Sequence, residues 1–108
     1  MRTVILEEYA KVNECVSRHY GMEGNRMLRS NKEECVDARA SLVHTCIEKG
    51  MTEADLVQLT GLTQQCINKL KNSVRFREKK WGFRETLKAI TEELQSNNKA
   101  TTPLQRTI

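Results

Sequence analysis

Gln64, Gln65, Asn68, Lys69 and Asn72 are the residues whose types and spacing best suit chemistry with a partner. At about 3.6 residues per turn they fall on one side of a helix, and each carboxamide offers a hydrogen-bond donor and an acceptor together. That pairing fits the edge of an adenine in the major groove of duplex DNA, and a lysine fits a phosphate or a guanine. Gln64, Gln65, Asn68 and Asn72 are therefore the expected base readers. Thr63, Lys69, Lys71, Arg75 and Arg77 are the expected phosphate contacts, Thr63 beside a helix N-terminus. The rival reading of the same stripe is a solvated polar face in an ordinary bundle.

The segment Thr52 to Asn72 supplies what such a face needs beneath it. Thr52 is a helix cap with Asp55 answering from the third position, and Leu56 and Leu59 then share a face from which Gln58 points away. Gly61 supplies a corner, Leu62 an apolar plug and Thr63 a second cap. Ile67 and Leu70 return to the core at helical spacing. The layout is a helix, a tight corner and a second helix, as in a DNA-reading helix-turn-helix.

Charge is distributed in agreement with that layout. Residues 1–60 carry 8 Lys and Arg against 10 Asp and Glu, whereas residues 61–84 carry 7 against the single Glu78. The basic region thus begins with the second helix, as expected where one end of a domain lies on phosphates. Cys15, Cys35, Cys46 and Cys66 sit inside helical patterns without C-x-x-C spacing, so buried reduced thiols are expected, with no metal and no disulfide framework. No signal peptide or membrane-spanning run is visible, which points to a cytoplasmic, nucleoid-associated protein.

A chain of 108 residues is long enough for one modest core. With its one proline at Pro103, few aromatics and no period-2 apolar run, it is expected to be an all-α bundle of about five to six helices. A first helix is predicted over Val4 to His19 on the stripe Ile5, Tyr9, Val12 and Val16, ending at Tyr20-Gly21-Met22. A short turn of helix or loop follows from Asn25 to Ser30. Asn31 is the expected cap of a long central helix running to Lys49, with Gly50 at its end. After the helix-turn-helix comes a basic connector, Ser73 to Lys80. The last helix, Trp81 to Gln95, carries Phe83, Leu87, Ile90 and Leu94, and both Trp81 and Phe83 are read as core or hinge. Residues 1–95 form the expected domain and 96–108 a polar, disordered tail.

Taken in order, these pieces resemble the C-terminal DNA-binding domain of the bacterial replication initiator DnaA, of the Trp-repressor-like class. The resemblance spans about residues 4–95. It rests on Val16 to Met22 (Val-x-x-x-Tyr-Gly-Met), Cys35 to Arg39 (Cys-Val-Asp-Ala-Arg), Gly61 in the corner and Phe83 to Leu94 (Phe-Arg-x-x-Leu-x-x-Ile-x-x-Glu-Leu). It implies a structural role for Arg39, joining the long helix to the rest of the domain. It also implies a minor-groove role for the loop before that helix, with Arg29 and Lys32 as the candidates.

Two departures redirect the expected function. Where the family has Asp-His-Thr or Asp-His-Ser, this chain has Thr63-Gln64-Gln65, so it should not read the same origin box. Gly61 to Gln65 instead resembles the opening of the recognition helix in lambdoid phage repressors, where paired glutamines contact bases. No G-x-x-x-x-G-K-[ST] occurs, so no nucleotide cofactor is expected, and a stand-alone regulator of transcription or replication is favoured over an initiator.

An enzyme is disfavoured. Ser41, His44 and Cys46 are close in sequence, but nothing supplies an orienting acid or an oxyanion site, and Cys46 lies on the apolar arc. The alternative to double-stranded DNA is a protein-interaction adaptor on the same fold, which should expose aromatic or aliphatic anchors. Tight specificity from one recognition helix would call for a second module, so a homodimer or a protein partner stays open.

Overall fold

A computed structural model describes residues 3–101, with side chains through Gln95. Six helices follow one another: α1 (Thr3–Tyr20), α2 (Gly24–Arg29), α3 (Glu33–Glu48), α4 (Glu53–Thr60), α5 (Gln64–Arg77) and α6 (Trp81–Thr101). The described residues contain no strand. The fold is an all-helical bundle.

α3 is the central element and packs against each of the other five helices. Its sequence permits this because Ala38, Ala40 and Ser41 are small enough for close approach, while Leu42 and Val43 fill the space between neighbours. Around it Val12 and Val16 of α1, Met27 of α2, Leu56 of α4, Ile67 of α5 and Ile90 of α6 are fully buried. Each such side chain contributes about 1.5 to 3 kcal/mol of burial. Cys15, Cys35 and Cys46 are buried thiols; Cys66 is half-buried, and none of the four is in a disulfide. Burial pushes the Cys46 thiol up to about 12, so it behaves as an apolar side chain.

α3 also carries the polar groups that lock its neighbours. The Arg39 guanidinium, 8% exposed, donates from Nε to the Met27 carbonyl at 2.9 Å and from Nη2 to the Ser30 carbonyl at 2.5 Å. It thereby closes the carbonyl end of α2 and the loop before α3, which bears out its structural role. Asp37 accepts from Arg77 at 2.6 Å and from Lys80 Nζ at 2.8 Å, pinning the elbow between α5 and α6. Tyr20 Oη and Ser41 Oγ lie 3.2 Å apart, joining α1 to α3.

Several boundaries differ from the sequence expectation, each for a physical reason. Residues 24–29 form a helix, because Met27 has a core site to fill and Arg39 satisfies the carbonyls at its end. Lys32, not Asn31, is the residue before α3, and it makes no side-chain cap; Glu33 and Glu34 in the first turn oppose the helix dipole instead. The expected connector from Ser73 is helical as far as Arg77, since Val74 is buried one turn beyond Leu70. Phe83 is core as expected, but Trp81 is 69% exposed at the start of α6. The backbone of α6 runs on to Thr101, past the expected end at Gln95, while residues 102–108 of the expected tail lie outside the described residues.

Candidate nucleic-acid interface

The corner between α4 and α5 is built by local sequence. Thr52 Oγ1 accepts from the Asp55 amide and Asp55 returns the bond to the Thr52 amide, both at 3.0 Å, so α4 starts at a reciprocal capping box. Gly61 then takes φ 79°, a left-handed conformation that other residues reach only at a cost, and its amide closes on the Val57 carbonyl. Thr63 Oγ1 accepts from the Cys66 amide at 3.1 Å and caps α5. Ile67, Leu70 and Val74 anchor one side of α5, and the opposite side is left to solvent.

Gln64, Gln65, Asn68, Lys69 and Asn72 are all exposed on that side. Gln64, Gln65, Asn68 and Lys69 line one shallow depression, and Lys71, Asn72 and Arg75 line a second with His44. Lys69 therefore stands on one flank of the amide stripe, and Lys71 and Arg75 stand on the other. Among the described residues neither Lys69 nor Arg75 makes an ion pair. Thr63 is exposed beside the α5 N-terminus, with its hydroxyl proton free while its oxygen caps the helix.

Two expected phosphate contacts are occupied within the fold. Arg77 is half-buried, its Nη1 on Asp37 and its Nε on Ser73 Oγ at 2.9 Å, so it buttresses α5 against α3. The Lys71 ammonium lies 2.6 Å from Glu53 Oε2. Arg29 and Lys32 are exposed at the two ends of the loop that Arg39 clamps, and they line neither depression.

Glu53, the first residue of α4, was not among the sequence candidates. Its carboxylate accepts from Gln64 Nε2 and Lys71 Nζ, and more distantly from Asn68 Nδ2 at 3.5 Å. Asn72 Nδ2 in turn donates to Asn68 Oδ1 at 3.1 Å. The Lys71 hydrogen bond, more than any other contact, holds the Glu53 carboxyl below its ordinary value. Chemically, the network engages the Gln64 amino group with Glu53, while neither the Gln64 nor the Asn72 side-chain carbonyl accepts a hydrogen bond among the described residues; Gln65 has both groups available. A usable signal was present, since the short corner brings the first turn of α4 beside the first turns of α5.

Phe76 is also absent from the sequence candidates, because Ser73 to Lys80 reads as a connector. It is 71% exposed, with Lys79 Nζ 5.5 Å from its ring centre, and helical spacing puts it one turn beyond Asn72 on the outward side of α5. No helix among the described residues is long and apolar enough to cross a membrane. No known protein family, curated protein or solved structure matches the chain.

Proposed function

We propose that this chain binds double-stranded DNA by placing α5 in the major groove, as a regulator of transcription or of replication. The observation that carries the reading is the exposed amide stripe of α5, flanked by Lys69 on one side and by Lys71 and Arg75 on the other. Gln64, Gln65, Asn68 and Asn72 read base edges, and the flanking cations hold the phosphate backbones. The unengaged carbonyl of Gln64 favours a base amino group, that of cytosine or adenine. Lys71 serves as a phosphate contact by leaving Glu53, and Arg77 acts only as a buttress. The sequence resemblance to the DNA-binding domain of DnaA supports the same partner.

A second reading, a protein-interaction adaptor, is favoured by one feature, the exposed Phe76 on the outward side of α5. Selection from a random duplex library at near-physiological salt separates the two. The first reading expects a short enriched motif that the Gln64→Ala/Gln65→Ala double variant loses and Phe76→Ala keeps. No enrichment would overturn it, and capture of a protein partner abolished by Phe76→Ala would establish the adaptor.

A further inference from the structure

Away from α5, one cluster of side chains has the composition of a metal site. Cys15 and His19 stand one turn apart on α1, and Glu93 faces them from α6. The Cys15 sulfur, a His19 ring nitrogen and a Glu93 carboxylate oxygen all lie within 4.8 Å of one another. We propose that this trio binds a divalent ion of the zinc class at the seam between α1 and α6.

The donor set suits that ion. A thiolate, an imidazole and a carboxylate are the three ligand types that zinc takes, and three protein ligands leave the fourth tetrahedral position to water. With bonds of about 2.0 to 2.3 Å, tetrahedral ligand atoms stand roughly 3.3 to 3.8 Å apart. The cluster therefore has to close by about 1 Å at its widest, which small rotations of His19 and Glu93 at the surface supply. Cys15 is 1% exposed and fixes the inner ligand from the core side.

The surroundings orient the carboxylate as outer partners of a metal site do. Glu93 Oε1 lies 2.9 Å from His19 Nε2, and Glu93 Oε2 lies 2.5 Å from Arg18 Nη2. Oε1 is the ligand oxygen, and Arg18 keeps Oε2. Arg18 Nη1, 3.2 Å from Oε1, yields that contact to the ion. The positive charge of Arg18 does not expel a cation, because Glu14 also pairs with it at 3.1 Å. The thiolate and the Glu93 carboxylate balance the two charges of the ion, and Glu14 balances Arg18.

Protons are conserved as follows. In the metal-free chain His19 Nε2–H donates to Glu93. On binding, the imidazole carries its proton on Nδ1 and offers the Nε2 lone pair, while the Cys15 thiol proton leaves to solvent, one proton per ion. The site ties the first helix to the last and is independent of any role of α5.

Cobalt(II) is the probe, titrated into the full reduced chain. A near-ultraviolet thiolate-to-cobalt charge-transfer band that saturates at one ion per chain and is displaced by zinc is expected. Cys15→Ser should abolish the band, and His19→Ala and Glu93→Gln should weaken binding by more than the roughly 10- to 100-fold that outer partners carry. Because Cys15→Ser alters a buried position, His19→Ala at the surface is the decisive variant; zinc should raise the melting temperature of the parent and not of His19→Ala. Absence of the band at millimolar cobalt would overturn the proposal. So would a band undiminished in His19→Ala, which would remove the imidazole from the site, or one undiminished in Cys15→Ser, which would assign the thiolate to another cysteine.

Discussion

The two short segments that lead into α3 and α5 are held in opposite ways. The corner before α5 is fixed from within, by the Thr52–Asp55 box, the left-handed Gly61 and the Thr63 cap, all within a dozen residues of one another. The loop before α3 has no side-chain cap at Lys32 and is held from a distance by Arg39, whose partners are Met27 and Ser30. A locally coded segment keeps its shape whatever surrounds it, whereas a remotely held one keeps it only while α3 is docked. The element proposed to meet DNA is of the first kind.

The contrast is sharpest in its energetics. Arg39→Ala should cost about 3 kcal/mol in urea unfolding, since it strips charged donors from two carbonyls in a site that water scarcely reaches, and Arg39→Lys should recover little because a point charge cannot span both. A loss below about 1 kcal/mol would show that the loop before α3 is also locally coded. Gly61→Ala should cost about 1 to 2 kcal/mol by the same measurement. Nothing stands within 4 Å of the added methyl, so the penalty is purely conformational, and a neutral result would mean that the corner can reshape. Thr63→Ala should cost about 1 kcal/mol through the lost cap, with Thr63→Ser close to the parent.

The smallest effect concerns the link between α4 and α5 through Glu53. Its carboxyl titrates below its ordinary 4.5 because Lys71, above all, stabilises the charged form. The contribution to stability is therefore complete above that ordinary value and disappears as pH falls through the lowered one. A side-chain NMR titration should give Glu53 a midpoint below 4.5, moving up in Lys71→Ala. An ordinary midpoint in the parent would mean that the pair does not persist in solution.

What could be read in the sequence follows the same division. The capping box, Gly61, the Thr63 cap and the apolar stripes of α1 and α6 were legible because each is a short-range pattern of a few residue types. The outward placement of Gln64, Gln65, Asn68, Lys69 and Asn72 followed from Ile67 and Leu70 alone. The burial of Phe83 was likewise legible from its spacing to Leu87. By contrast, the choice of helix over loop at α2, the start of α3, the pairing of Arg77 with Asp37 and the clamp at Glu53 depend on residues that meet only after the helices pack. Trp81, expected as core or hinge, is not core: it stands exposed at the first position of α6, beside the elbow with α5, so only the hinge half of that expectation remains.

The carboxylate of Glu53 also bears on how this surface can change over generations. Gln64, Asn68 and Lys71 share that one acceptor, so a substitution at any of them alters the setting of the other two, and the three should drift together. Gln65 and Lys69 have no such tie among the described residues and are free to vary singly. Adaptation of the face would begin at those two positions, while the trio around Glu53 would be inherited as a block.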